Sequence, residues 1–275
     1  MSKNWLITGT STGIGRTMVE KLLRRGDYVA ATLRKEGALD DLKAEFSHNL
    51  VTLTMDLTDV HAIKNSVSTA FSRLGRIDVA VSNAGYALFG AGEEVSNEQI
   101  ERQISTNLTG SIQFIRALLP HMRAQGRGRI VQVSSEGGQV AYPNFSIYHA
   151  TKWGIEGFIQ AVSQEVAPFD IDFLIAEPGP TSTNFAAGID HAEVLDAYEL
   201  TPAGDVRRAL NSGSFGSLSD VAKTVDAIIA CADQKSPPLR LALGKSTYRN
   251  IHNALTERLD MLDRNKHLTI SVDAL

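Results

Sequence analysis

One cysteine is all the thiol this 275-residue chain has, so no internal disulfide can form. Cys231 lies in Ala-Ile-Ile-Ala-Cys-Ala, an apolar helical run, and reads as a small core residue. The seven histidines show no H-x-x-x-H or Cys/His spacing, so no metal site is expected. Neither sign of charge dominates: 27 basic against 31 acidic residues leave a net charge of −4, spread along the chain. That gives no basic stripe for nucleic acid and no basic cluster for a membrane surface. No apolar run approaches the ~18 residues needed to span a bilayer. The N-terminus enters a strand pattern at once, leaving no room for a signal peptide. A soluble, cytoplasmic protein without a membrane or nucleic-acid partner is the expectation.

What is present is 43% hydrophobic content, enough for a large core, in a strict alternation of patterns. Short apolar strands are read at 5–8, 28–33, 50–55, 77–81, 129–133, 171–176 and 239–243. Helical periodicity falls between them: from Ile14 to a C-cap at Gly26, over 38–46, from a cap at Asp59 to Leu74, and from Ser96 to about Gln125. Further helices are read at 148–167, from Ser219 or Asp220 onward, and over 247–265. Strands that are apolar throughout call for a parallel sheet covered on both faces. The expected fold is therefore α/β, one doubly wound Rossmann-type domain of about seven strands. Residues 180–217, rich in Ser, Thr and Gly with weak helical pattern, read as a mobile lid over the substrate. Residues 246–275 read as a helical extension.

Gly9-x-x-x-Gly13-x-Gly15 stands between the first strand and the first helix. Glycines there permit a tight turn and close backbone approach, and the helix N-terminus offers free N–H groups to a pyrophosphate. Tyr148 and Lys152 stand four residues apart on a helix, sharing a face with Cβ atoms roughly 6 Å apart. An ammonium beside a phenol favours the phenolate and brings its pKa toward the working range. A serine from the preceding strand end could hold a carbonyl or alcohol oxygen in line. Taken alone, Tyr-x-x-x-Lys is as readily a surface tyrosine and a snorkelling lysine.

Context decides. Thr8-Gly-x-x-x-Gly-x-Gly15, Asp56, Asn83-Ala84-Gly85, Asn107, Ser135, Tyr148-x-x-x-Lys152 and Pro178-Gly179 together resemble a short-chain dehydrogenase/reductase, in that family's order and spacing over about residues 3–245. The Ala-Thr-Leu-Arg strand end and the tail beyond Leu243 are most similar to its 17β-hydroxysteroid and retinol dehydrogenase-like branch. The resemblance implies a pyrophosphate held by Gly9, Ser11, Gly13, Ile14 and Gly15, and an adenine against Asp56 and Leu57. It implies an adenosine ribose flanked by Asn83, Ala84 and Gly85. It also sets a nicotinamide against Pro178, Gly179, Thr181 and Thr183. Ser135 would orient the substrate oxygen, Tyr148 act as general acid or base, and Lys152 lower the tyrosine pKa and bind the nicotinamide ribose. Asn107, where members of that family distort the long helix, would hold a water in a proton relay to Lys152; by itself it reads as a polar residue on a helix surface. Ser134 reads as structural, since the 13-residue spacing selects Ser135.

The second strand ends in Arg34 without the acid that an NAD site uses for the ribose 2′-hydroxyl. A guanidinium suits a 2′-phosphate, so NADP(H) is expected, with NAD(H) open if Arg34 is merely a solvated loop residue. Ser11 adds a hydroxyl, but no second basic residue stands near Thr12. Candidate pocket walls are Tyr86 to Phe89, Gly137 to Phe145 and Phe185 to Phe215. They are aromatic or small, with no basic pair before Arg207-Arg208, so an apolar ketone, aldehyde or alcohol is the expected substrate. Glu136 reads as a solvated loop carboxylate, or as a bias against anionic substrates. A homodimer on the two long helices is expected, with a monomer close behind. The competing readings are a non-catalytic NADP(H)-sensing scaffold, usually marked by loss of the Tyr or Lys, and an extended-type epimerase, whose longer C-terminal domain is absent.

Overall fold

The structure, a computed structural model, describes residues 2–214 and 216–273. Its first half runs β1 (Asn4–Ile7), α1 (Gly13–Arg25), β2 (Tyr28–Leu33), α2 (Asp40–Glu45), β3 (Leu50–Thr54), α3 (Val60–Leu74) and β4 (Val79–Ser82). A two-residue strand β5 (Leu88–Phe89) precedes α4 (Asn97–Ile104) and α5 (Ser111–Gln125); then come β6 (Gly128–Val133), α6 (Ser146–Val166) and β7 (Ile171–Pro178). The remainder is β8 (Asp190–His191), α7 (Pro202–Asn211), α8 (Val221–Ala232), β9 (Arg240–Leu243), α9 (Lys245–Arg264) and α10 (Lys266–Ile270).

Seven strands form one parallel sheet in the order β3-β2-β1-β4-β6-β7-β9. Side chains alternate between its faces. Trp5, Ile7, Val29, Ala31, Val79, Val81, Leu174 and Ala176 enter the layer under α1 and α8. Leu6, Ala30, Ala80, Ile130, Phe173 and Ile175 enter the layer under α3, α5 and α6. Trp5, Leu6, Ile7 and Phe114 are fully buried, each contributing about 1.5–3 kcal/mol by burial. The order reverses at β1, whose neighbours are β2 and β4, so the loops after β1 and β4 open a crevice at the carboxyl edge. The expected single doubly wound sheet is what forms. No helix among the described residues is long and apolar enough to cross a membrane.

Two regions carry more structure than the periodicity alone gives. The helical region from Asn97 to Gln125 is interrupted by a π-helical turn over Ser105–Gly110, which carries Asn107. A Cβ at Gly110 would sit 2.5 Å from the Leu57 carbonyl oxygen, so the turn packs directly on the loop after β3. The passage 180–217 is more structured than its composition suggests. Within it β8 pairs with β5, Leu88 opposite Asp190 and Phe89 opposite His191, and α7 starts behind a Thr201 cap. The helical extension begins docked, with Thr247 and Ile251 buried and the Arg258 guanidinium 5.0 Å from the Trp153 ring centre. Farther on, Leu255, Leu259, Leu262 and Leu268 are exposed.

Candidate active site

The glycine turn is built as a cradle. Gly9 has φ 68°, and a Cβ there would lie 2.6 Å from the Ala84 backbone. Gly13 has φ 57°, the left-handed region that favours glycine, and faces Thr183 across the crevice, 3.4 Å from Cβ to Cβ were it alanine. The helix it opens has no side-chain cap at Thr12 and no acid in its first turn. Its N–H groups and positive dipole therefore stay available to an anion. Ser11 is exposed at the turn, whereas Ile14 packs on the core. Asn83 serves the turn itself: its amide donates to the Thr8 and Gly9 carbonyls at 2.9 and 3.0 Å, and the N–H groups of Asn83 and Ala84 donate to the Thr8 hydroxyl. Gly85 borders Asn107, 3.2 Å from the place a Cβ would take.

Around this cradle, Arg34 is exposed at the end of β2, and its charge helps lower the Asp56 carboxyl. The larger cause there is the backbone N–H of Thr58, which donates to Asp56 at 2.8 Å. Leu57 is buried beside it. Glu36 accepts from the Thr54 hydroxyl at 3.5 Å, away from the glycine turn. Arg16, a residue the sequence reading passed over, braces the loop after Arg34 by donating to the Ala38 carbonyl at 2.6 Å and pairing with Asp41. Its signal was available, since it lies in the first turn of α1, one residue after Gly15.

The reacting groups converge where β6 and α6 meet. Ser135 follows the strand in extended conformation, its hydroxyl accepting from the Gly137 N–H at 3.0 Å and standing close enough to the Tyr148 phenol to act on its proton. Tyr148 and Lys152 are both buried on α6, the ammonium 5.6 Å from the tyrosine ring centre and donating to the Val133 carbonyl at 3.1 Å. Burial pushes the Tyr148 phenol up to about 12, the Glu136 charge adds to this, and the Ser135 hydrogen bond opposes it. This is the reverse of the expected lowering, because desolvation outweighs a lysine that faces the ring rather than the hydroxyl. Burial also brings Lys152 down to about 8, against the Glu156 charge one turn on. Asn107 is buried, not on a helix surface. Its side-chain carbonyl accepts from the Tyr86 N–H at 3.2 Å and its amide donates to the Tyr86 carbonyl at 2.8 Å.

Residues 3–194 match the short chain dehydrogenase family. This chain belongs to that family of oxidoreductase enzymes. It is 36% identical over 246 residues to "Oxidoreductase BOA17" of Botryotinia fuckeliana, covering 89% of each chain. It is 34% identical over 194 residues to the 3-ketodihydrosphingosine reductase of Bacteroides thetaiotaomicron, covering 70% of each. A crystal structure of a short-chain dehydrogenase from Streptomyces avermitilis superposes with a TM-score of 0.92 at 35% identity, over 99% of this chain and 98% of that one.

In this short-chain dehydrogenase, Ala87, Phe89, Phe145 and Tyr148 form an apolar cluster with Tyr142, Ile189, Val206 and Leu210 packed against it. Phe185 approaches the Tyr148 ring at 6.3 Å, while Phe215 lies outside the described residues. The 180–217 passage is anchored: Asn144, at φ 69°, donates to the Ala203 carbonyl at 2.6 Å, and Arg207 grips Glu94. Arg208 pairs with Glu199 and Asp205, so neither arginine is left to anchor a substrate anion. Thr181 donates to the Gly179 carbonyl and Thr183 to the Thr181 carbonyl, at 2.9 and 3.4 Å, which folds the segment after β7 back toward the glycine turn. Ser134 is structural as read, donating to Glu156 at 2.6 Å.

Glu136 is not the solvated carboxylate expected from its loop position; only 6% of it is exposed. Tyr142 donates to it at 3.1 Å, and Asn250 of α9 donates to the Tyr142 oxygen at 3.0 Å. Thr247, also on α9, is fully buried against Gly179. Neither Thr247 nor Asn250 was legible as a site residue, because only the folded tail brings α9 beside the end of β7.

Proposed function

We propose that this enzyme is an NADP(H)-dependent carbonyl reductase and alcohol dehydrogenase, interconverting an apolar ketone or aldehyde and its alcohol. The observation that carries this is the buried Tyr148, set in an aromatic cluster with the Lys152 ammonium 5.6 Å from its ring centre and Ser135 acting on its phenol. The residues fit a nicotinamide dinucleotide. The uncapped α1 terminus and the glycine turn suit the pyrophosphate, Asp56, Leu57, Ala84 and Gly85 the adenosine, and Pro178, Gly179, Thr181 and Thr183 the nicotinamide. Exposed Arg34 suits a 2′-phosphate, and no carboxylate at the end of β2 competes with it.

The bound cofactor supplies the hydride in reduction and takes it up in oxidation. In reduction the Ser135 hydroxyl holds the carbonyl oxygen and Tyr148 delivers its proton there. A phenol raised to about 12 stays protonated across the physiological range, which suits it to donating. Lys152 presents positive charge beneath the ring and would bind the ribose of the nicotinamide. Asn107, its side chain fixed by two hydrogen bonds to Tyr86, would support a proton relay from Lys152. The apolar walls exclude water from this exchange. We further propose a homodimer across α5 and α6, which sedimentation would reveal.

The test is a panel of ketones, aldehydes and secondary alcohols with NADPH and NADH, followed at the reduced nicotinamide band, for wild type and Tyr148→Phe. The variant is expected to lose nearly all turnover while binding cofactor almost as before. Retention of more than a few per cent of activity would remove Tyr148 from its role. No turnover of any member by the wild type would leave the sensing scaffold as the better reading.

A further inference from the structure

Five carboxylates among the described residues are nine-tenths or more buried: Asp27, Glu94, Glu136, Glu156 and Glu177. Four of them meet an arginine. Asp27 pairs with Arg25, Glu94 with Arg207, and Glu156 and Glu177 share Arg240. Glu136 is the exception. Its side-chain partners are the Tyr142 hydroxyl at 3.1 Å and the Asn250 amide at 3.5 Å, and neither is a cation. Taking a carboxylate out of water costs several kcal/mol unless a positive group or a full set of donors meets it, and one hydroxyl with one long amide contact falls short of that.

The position of this carboxylate is specific. It follows Ser135 directly, and its charge reaches Tyr148. Tyr142, its hydrogen-bond donor, packs against the apolar cluster around Tyr148. One carboxylate oxygen lies 3.3 Å from where a Gly179 Cβ would stand, and the buried Thr247 hydroxyl faces the same corner without a partner. Lys152 is not its counter-charge, since the acid that acts on Lys152 is Glu156. Glu136 is therefore the buried carboxylate that adjoins the Ser135–Tyr148 site, with one oxygen turned toward Gly179.

We infer that Glu136 binds a protonated amine carried by the substrate beside the reacting carbonyl, so that the preferred substrate is an amino ketone, or the matching amino alcohol, with an apolar tail. The substrate's ammonium completes the ion pair that Arg25, Arg207 and Arg240 supply elsewhere. Tyr142 and Asn250 hold the carboxylate in place. This rests on the proposed carbonyl reduction and names its substrate class.

The test uses three ketones of one size: 1-amino-2-octanone, 1-hydroxy-2-octanone and 3-nonanone, at mildly acidic pH where the amine is charged. Turnover with NADPH and calorimetric binding are both measured. The wild type is expected to favour the amino ketone over 3-nonanone at least about 10-fold in kcat/KM and in affinity, the worth of a charge-assisted hydrogen bond. Glu136→Gln should erase that preference, bringing the amino ketone down to the level of 3-nonanone in the same variant, a charged hydrogen bond being the part removed. Wild-type preference for 3-nonanone, or equal losses for all three ketones in the variant, would overturn the inference. So would an unchanged ketone ranking with an altered NADP+ to NADPH affinity ratio, which would assign the carboxylate to the cofactor. Amino-ketone binding without any turnover would uphold Glu136 and sink the carbonyl reductase reading; turnover without amine preference would do the reverse.

Discussion

Arg207 of the lid helix and Glu94 of the loop after β5 meet as a buried pair, with one guanidinium nitrogen 2.7 Å from each carboxylate oxygen. Burial works against the charge on Glu94. The N–H groups of Leu195 and Ala91, together with Arg207, outweigh it and hold the carboxyl below its usual range. Val206 and Leu210 on the same helix wall the pocket, so the pair fixes that wall. Arg207→Ala should destabilise the fold by about 3 kcal/mol, because it strands a buried carboxylate. It should also raise substrate KM more than cofactor Kd. Denaturant midpoints and initial rates check both. An unchanged KM would detach the lid from the pocket.

Lys152 gives a pH signature. Its amine is lowered to about 8 by burial, so below that pH the fold bears the desolvation of a charge that the unfolded chain keeps in water. Between about 8 and the ordinary 10.5 the unfolded state binds more protons, and stability should rise with pH in that window. Reduction should weaken over the same rise, as the ammonium is lost while Tyr148 stays protonated. Lys152→Met should remove both dependences, gain on the order of 1–3 kcal/mol of stability and abolish turnover. A variant less stable than wild type at neutral pH would contradict this.

Arg34 separates the two dinucleotides. Arg34→Ala should weaken NADPH by ~1.5–3 kcal/mol, about 10- to 150-fold, with NADH little changed. Fluorescence titration with each reduced cofactor measures it. Equal losses would make Arg34 a solvated loop residue.

His149 carries the acid sensitivity. It is buried, its Nδ1 accepts from the Tyr142 N–H at 3.2 Å, and burial lowers it to about 4. As pH falls from 6.5 toward 4 the unfolded imidazole takes up a proton that the folded one refuses, so stability should fall over that interval. His149→Gln keeps an acceptor for the Tyr142 N–H and should flatten that part of the profile. Urea midpoints across the range would show it, and an unaltered slope would move the effect to other groups.

The sheet was legible because apolar strands and amphipathic helices carry their own periods, and the glycine turn because left-handed backbone demands glycine at Gly9 and Gly13. Ser135, Tyr148 and Lys152 were legible as a spaced pattern, and the structure brings them together. The fate of Glu136 was not, since burial of a loop residue depends on what covers it, here Tyr142 and a helix more than a hundred positions onward. The direction of the Tyr148 shift escaped for a related reason: spacing reveals a neighbouring charge but not the loss of water. The π-helical turn at Asn107 was expected only through the family resemblance, since the apolar period of Asn97–Gln125 does not by itself mark a wider turn.

The docking of Thr247 and Asn250 against the end of β7 also orders events during synthesis. Strands β1 to β4 form a contiguous block of the sheet from the first third of the chain and can pair while the rest is still being made. The corner where Glu136, Gly179 and Thr247 meet, by contrast, stays open until β9 and α9 have been made. A nascent chain can therefore form the glycine turn well before it closes that corner.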